Sequence, residues 1–205
     1  MTAHPTLRRA RSADREQVFA AFLSGAVDDP VTAWLLAGYP PRQFLNPYAG
    51  QLIDTALNDG EIWIAEADGR IRTVSLWQTI TTLDGLAAEA EEVARLAAAE
   101  PESAPLRRSA YLTNLLAREH PRRFPHSYLQ VIATTPEFRN RGAGALLLRH
   151  RAGSLARTAL PAFLEASSER SARLYERIGF RRTDRTFLLP ENGPTLIPMW
   201  LEPDA

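Results

Sequence analysis

VIATTPEFRNRGAG, residues Val131–Gly144, is the stretch on which the reading of this chain turns. An apolar strand-like run stops at a proline-containing turn. Two arginines and two glycines follow, and ALLLRHRAGSLA then continues as a helix. A helix that opens on glycines offers main-chain N–H groups without intrahelical partners, together with the positive end of its dipole. Strand, turn and helix in this order can therefore hold a pyrophosphate. Gly142 and Gly144 have no Cβ to keep a phosphate away from the backbone. Arg139 and Arg141 bring positive charge to the same place, and Asn140 and Ala143 complete the loop. Two rival phosphate loops fail. There is no Gly-x-x-x-x-Gly-Lys-Ser/Thr run, and the third glycine of a dinucleotide fingerprint would fall at Leu147. Taken alone, the spacing fits a plain tight turn equally well.

The context downstream changes the balance. PAFLEASSERSARLYERIGF runs from Pro161 to Phe180. Ala162–Ala166 reads as a short apolar strand and Ser168 as the N-cap of a helix running to Ile178. Gly179 supplies a left-handed C-terminal residue, and Phe180 opens the next strand. Two strand–loop–helix units thus lie side by side. Together, Arg139-x-x-Gly142-x-Gly144 and LYERIGF (Leu174–Phe180) resemble the GNAT superfamily of acyl-CoA-dependent N-acyltransferases. The resemblance runs from about Leu7 to the C-terminus and is vague between Ile80 and Phe124.

The resemblance implies an α/β (α+β) fold: a mixed, mostly antiparallel central sheet flanked by helices. Residues 1–205 would form a single domain, with a helical insertion at about 80–124 between the third and fourth strands. It further implies acetyl-CoA as co-substrate, its pantetheine arm lying along Ile132, Ala133 and Thr134 and its pyrophosphate held by Arg139–Gly144. Tyr175 would be the general acid toward the departing sulfur; an unperturbed tyrosine, with a pKa of about 10, is protonated at neutral pH. Many family members carry Asn four residues before this tyrosine. Here the position is Ser171, a shorter donor to the cofactor arm.

Glu165 ends an apolar strand. That suits a base or an anchor for a cationic amine in a cleft, and equally an exposed carboxylate paired with an arginine. Asp28 and Asp29 precede Pro30 on the expected acceptor side, where Trp34 and, from a neighbouring strand, Trp77 are further candidate substrate contacts. Turn and helix-start roles suit both aspartates as well, and core packing suits the tryptophans.

Composition bounds the rest. Balanced charge, 24 basic against 24 acidic residues, gives no reason to expect a nucleic-acid or membrane binder. The absence of cysteine removes disulfides, thiolate metal sites and cysteine nucleophiles. The histidines at 4, 120, 126 and 150 lack metal-ligand spacing, so no metal is expected. The N-terminus has no apolar core and no run is long enough to span a bilayer, so a cytoplasmic protein is expected.

Along the chain, Thr6–Ala10 reads as a strand. Ser12 reads as the cap of a helix ending near Gly25, VTAWLL as a second helix, and Asn46 or Tyr48 to Leu57 as a third. Glu61–Glu66 and Arg70–Thr79 read as a hairpin turning at Asp68-Gly69. Two amphipathic helices flank Pro101–Pro105, as a lid or a plain surface hairpin. Then come a strand at His126–Thr134, a helix at Ala143–Ala159, and strands at Phe180–Leu188 and Thr195–Leu201.

The leading expectation is transfer of an acetyl group to a primary amine of a small molecule. The alternatives are a protein N-terminal or lysine acetyltransferase, an enzyme using a non-acetyl donor or one carried on an acyl carrier protein, and a non-catalytic coenzyme A sensor. The chain could act as a monomer or a homodimer.

Overall fold

Asp68 and Gly69 both have positive φ, 54° and 68°, as a two-residue type I′ hairpin loop requires. They join β2 (Glu61–Ala67) to β3 (Arg70–Ile80). The other strands are β1 (Thr6–Arg9), β4 (His126–Thr134), β5 (Ala162–Ala166), β6 (Arg181–Arg182), β7 (Phe187–Leu188) and β8 (Thr195–Leu201). The computed structural model describes residues 5–203. It places the strands in one sheet, in the order β1-β2-β3-β4-β5-β8-β6, with β7 beside β8. Every pairing is antiparallel except that of β4 with β5.

Alternation along the strands sorts side chains to two faces. On one, Val74, Leu76 and Ala133 pack with Val18, Phe22 and Ile53. These belong to helices α1 (Arg15–Ala26) and α3 (Pro41–Asn58); the short α2 (Pro30–Leu35) lies between them in sequence. The insertion forms the expected helical pair, α4 (Asp84–Ala99) and α5 (Ala104–Glu119). On the opposite face Trp77, Leu129, Leu164 and Ala166 pack with Leu148 and Leu155 of α6 (Ala143–Ala156) and Ala172 and Tyr175 of α7 (Glu169–Glu176). No helix among the described residues is long and apolar enough to cross a membrane.

Several boundaries differ from the sequence reading, for local reasons. Ser12 does not cap α1. Ser12–Asp14 is a 3₁₀ turn in which the Asp14 carboxylate accepts from the Arg11 N–H at 2.8 Å and is held by Arg8, so the helix starts at Arg15. Helix α3 starts at Pro41, a proline at the first helical position having its φ already set. Helix α6 stops at Ala156, before the left-handed Ala159 (φ 50°). In α7 the last turn tightens, Ile178 N–H bonding Tyr175 O and Gly179 N–H bonding Glu176 O, so the regular helix ends at Glu176 and Gly179 turns the chain at φ 112°. The strand expected over Phe180–Leu188 is two short pieces, β6 and β7. Between them the Thr183 hydroxyl donates to Arg185 O at 3.1 Å, a local bond that competes with the ladder.

Two irregularities position the site. Leu76 pairs with Val131 but Trp77 pairs with Leu129. Gln130 is therefore an extra residue on β4, a β-bulge that bends the strand. Strands β4 and β5 pair only at Ser127–Ala162 and Tyr128–Phe163. Beyond Tyr128 they part, and the Gln130–Thr134 edge facing away from β3 has no strand neighbour.

Candidate active site

The loop singled out from the sequence lies at the end of this open edge. After β4 the chain makes a 3₁₀ turn at Pro136–Phe138, then left-handed residues at Asn140 (φ 59°) and Gly142 (φ 81°), and enters α6 at Ala143. The leading N–H groups of α6 have no residue four positions back inside the helix and point out of its end. A Cβ built on Gly142 meets nothing within 4 Å, so the space before this helix end is open. One on Gly144 would lie 3.5 Å from Thr134 Oγ1 and 3.8 Å from Ile132 Cδ1, so here the glycine brings the helix close to the strand. An open, left-handed approach to a helix N-terminus beside an unpaired strand edge fits a pyrophosphate followed by an extended arm. The residues therefore suit coenzyme A.

The arginines divide differently from the sequence reading. Arg139 is turned inward. Its guanidinium donates to Thr134 O (3.2 Å), Gly25 O (3.1 Å) and Asp28 Oδ2 (2.5 Å), and so clamps the loop to the end of α1. Asp28 belongs to this clamp rather than to an acceptor pocket. Arg141 lies over the Phe138 ring, its Cζ 5.8 Å from the centroid. Arg170, in the first turn of α7, donates to Asn140 Oδ1 at 2.6 Å. It is a cation on the loop that the linear motif could not reveal, because it arrives thirty residues later. Ser171 is also committed. Its hydroxyl donates to Ser168 O (2.9 Å) and accepts from Ser168 N–H (3.1 Å), while the Ser171 N–H bonds Ser168 Oγ, closing a capping box.

The two residues singled out for chemistry sit where β4 and β5 part, on opposite faces of the sheet. Tyr175 is buried under α7, its ring 5.8 Å from that of Phe180. Its hydroxyl has no hydrogen-bond partner among the described residues. Burial, with the charge of Asp29, raises its pKa well beyond the ordinary tyrosine value, so it remains a proton donor at neutral pH. Glu165 lies on the other face and is partly buried. Its Oε2 accepts from Tyr128 Oη at 2.8 Å. Burial pushes this carboxyl up to about 7, against the opposing pull of hydrogen bonds from Tyr128 and its own backbone. A carboxyl titrating near neutrality can take up and release a proton at working pH.

Asp29 connects the two sides. One oxygen caps α2, accepting from Val31 N–H (2.9 Å) and Thr32 N–H (3.2 Å), while the other accepts from Ser167 Oγ at 2.6 Å. This ties α2 to the end of β5. Around Tyr128 and Glu165 stand Gln78 and Gln130 from the sheet and Glu89 from α4, none of which the sequence alone singles out. Gln130 Nε2 reaches Gln78 Oε1 at 3.4 Å. Gly85 in the first turn of α4 stands against Gln78, and Glu89 is one turn further along. Burial raises the Glu89 pKa, and its charge acts on both Tyr128 and Tyr48.

Both candidate tryptophans are structural here. Trp34 Nε1 donates to Pro190 O at 2.8 Å, with the ring packed on Leu115, Leu189 and Leu196. Trp77 lies on the α6 face, opposite the face of Glu165. It is 2% exposed, donates to Ser75 Oγ at 2.9 Å and is covered by Arg151. Among the described residues no group of three His, Asp or Glu could hold a metal ion; His4 lies outside them.

Comparison with known proteins gives the same architecture. Residues 112–182 match the model of the acetyltransferase (GNAT) domain, which spans the loop, Glu165 and Tyr175. A crystal structure described as histone acetyltransferase HPA2 and related acetyltransferase, from Corynebacterium glutamicum, is 25% identical, with 99% of this chain and 98% of that one aligned and a TM-score of 0.70. Arylalkylamine N-acetyltransferase 2 from Aedes aegypti is 15% identical over 98% and 100% of the two chains, with a TM-score of 0.76. A Drosophila melanogaster polyamine N-acetyltransferase is 19% identical over 97% and 99%, with a TM-score of 0.72. The chain has the GNAT fold, and the match of residues 112–182 to a GNAT acetyltransferase domain together with these neighbours supports an acyl-CoA-dependent N-acetyltransferase.

Proposed function

We propose that the enzyme moves an acetyl group from coenzyme A to a primary amine of a small molecule, antibiotic-like or nucleoside-like, by direct attack. The thioester supplies the activated acyl group. Glu165 takes the proton of the incoming ammonium, directly or through one water, and Tyr175 gives a proton to the departing sulfur. The observation that carries this reading is the pair itself. A carboxyl titrating near 7 and a tyrosine held protonated flank the gap between β4 and β5 from opposite faces. Glu89 adds a second carboxyl on the acceptor side, which suits a cationic acceptor.

The antibiotic-like class is supported by the runs EIWIAEADG, VSLWQT, PAFLEASS and LYERIGF, which resemble stretches of puromycin N-acetyltransferase in the same order. The divergent insertion and Asp29 speak for a different acceptor from puromycin. Small amines are also named as the substrates of the Drosophila and Aedes proteins. The main-chain donors of Arg141–Gly144, with Arg170, would hold the pyrophosphate, and the Ile132–Thr134 edge the pantetheine arm.

The test is mass spectrometry of a panel of primary amines incubated with protein and acetyl-CoA. All 24 basic residues of the chain are arginine, so lysine self-acetylation adds no background. Acetylated small amines are the expected products. Acetylation of peptide N-termini alone would refute the small-molecule acceptor.

A further inference from the structure

Tyr128 is the last residue of β4 to pair with β5 before the strands part. It is 5% exposed. Its ring lies against Phe163 (centroids 6.1 Å apart, 28° between planes) and meets the His120 ring edge-on (4.8 Å, 80°). His120 closes α5 and is bonded Nε2 to Nε2 with His126 at 3.0 Å. The His126 Nδ1 lies 2.7 Å from Arg123 O. A carbonyl only accepts, so His126 carries its proton on Nδ1 and accepts at Nε2 from His120. This aromatic stack leaves the Tyr128 hydroxyl one direction, toward Glu165 Oε2 at 2.8 Å.

We propose that Tyr128 is the positioning residue of the catalytic carboxylate: its O–H holds Glu165 in one orientation at the strand gap and favours the ionised form that accepts the amine's proton. The inference rests on the reading of Glu165 as the base. The titratable and charged groups around the pair are Tyr48 of α3, Glu89 of α4, His120 of α5 and, tied to Ser167 beyond β5, Asp29. None of these is a cation at neutral pH, since burial and the neighbouring His126 keep His120 neutral down to about 4. The Tyr128 hydroxyl, with the Glu165 main chain, is thus what offsets the burial of the carboxyl. Because His120 belongs to the insertion, the inserted helices also fix the ring that orients the base.

The experiment is the pH profile of kcat/KM for three variants, using whichever amine of the panel is acetylated fastest. Glu165→Gln removes the acid limb if Glu165 is the base; survival of the limb would refute the base reading itself. With that settled, Tyr128→Phe moves the limb up by about one pH unit, the effect of one hydrogen bond to a charged group, while kcat/KM recovers at high pH. At pH 7 the loss is then about fivefold. Replacing Tyr128 by 3-fluorotyrosine, a stronger donor of nearly the same shape, moves the limb the other way and is available should the phenylalanine variant not fold. A limb that stays at its wild-type position in the folded variants, with kcat/KM lowered equally at every pH, would overturn the proposal and leave Tyr128 a packing residue.

Discussion

Gly25 offers a test of how tightly the donor edge is built. It lies one residue from the end of α1, where the helix crosses β4. A Cβ there would sit 2.9 Å from Ala133 Cβ, 2.9 Å from Thr134 N and 3.0 Å from Thr134 O. None of these atoms can rotate aside, since two belong to the main chain and the third to an alanine. Gly153, inside α6, is the matched control: a Cβ on it meets nothing within 4 Å. Alanine gains about 1 kcal/mol of helix propensity at either position. At Gly153 nothing opposes that gain, so Gly153→Ala should raise Tm by about 2–4 °C for a chain of this size. At Gly25 overpacking against an unyielding strand costs about 3 kcal/mol. The net loss is then about 2 kcal/mol and Tm should fall by about 4–8 °C. The displaced atoms include Thr134 O, which receives the Arg139 Nε, and Gly25 O takes another donor of the same guanidinium. The variant should therefore also bind acetyl-CoA more weakly. Differential scanning fluorimetry with and without acetyl-CoA measures both effects. Equal, stabilising shifts for the two variants would refute the close approach of α1 to β4.

Three further outcomes follow from the site. Tyr175→Phe should lower kcat on the order of a hundredfold, the usual contribution of a positioned proton donor, with acetyl-CoA affinity by calorimetry nearly unchanged; unaltered turnover would remove the tyrosine from its role. Gly142→Asp places a side chain at φ 81° and a negative charge before the α6 N-terminus, so coenzyme A binding should be lost while the fold is retained; normal affinity would refute the loop as the pyrophosphate site. The buried His120–His126 pair should make the fold acid-sensitive. Burial lowers both imidazole pKa values, that of His120 from 6.5 to about 4. The unfolded chain thus binds protons that the folded chain refuses, so the pair's contribution is complete above pH 6.5 and declines as pH falls toward 4. Urea midpoints between pH 7.5 and 4.5 should show this decline, with a shallower slope in His120→Gln; equal slopes would exclude the pair as its source.

Local patterns were enough for most of the elements and for the strand, turn and helix start around Arg139–Gly144. Glycines, a proline turn and an apolar run place a strand, a turn and a helix start within fourteen residues, and each feature acts on its own neighbours. What linear spacing could not convey was direction. Arg139 and Arg141 look equivalent in FRNRGAG, yet one guanidinium is drawn inward by Asp28 and Gly25 O, over a hundred residues away, and by Thr134 O. Ser171 looks like a shortened cofactor contact and is instead spent on the cap of its own helix. Asp29 caps α2, the helix-start role its place before Pro30 suggests, and its second oxygen is taken by Ser167. Both tryptophans are buried, Trp34 from helix α2 and Trp77 from β3; a tryptophan on a strand says nothing about which face it occupies, and the β-bulge at Gln130 with the pairing of Trp77 to Leu129 puts Trp77 on the α6 face. Tyr128 and Glu89 carried no local signal at all. Their meaning depends on the parting of β4 and β5 and on an insertion that is amphipathic like many surface helices.

The proposed acid, Tyr175, and the proposed base, Glu165, are separated by the alternation of side chains along β5 and brought within reach of one gap by the parting of the strands. Side chains alternate along β5, so Glu165 and its neighbours Leu164 and Ala166 point to opposite faces. The apolar pair goes beneath α6 and α7, where Tyr175 is already buried. Glu165 is left on the face that the insertion covers. Had β4 and β5 stayed paired, their main chains would have closed the gap, and Glu165 and Tyr175 would have been divided by a continuous sheet. The opening beyond Tyr128 leaves one passage where an amine on one face and a sulfur on the other could be reached by different residues. Donor and acceptor specificity are then physically separable. In the proposed reading the loop at α6 and Arg170 bear on the first, while α4 and α5, through Glu89 and His120, bear on the second. Exchanging the insertion should change which amine is acetylated and leave acetyl-CoA affinity almost untouched.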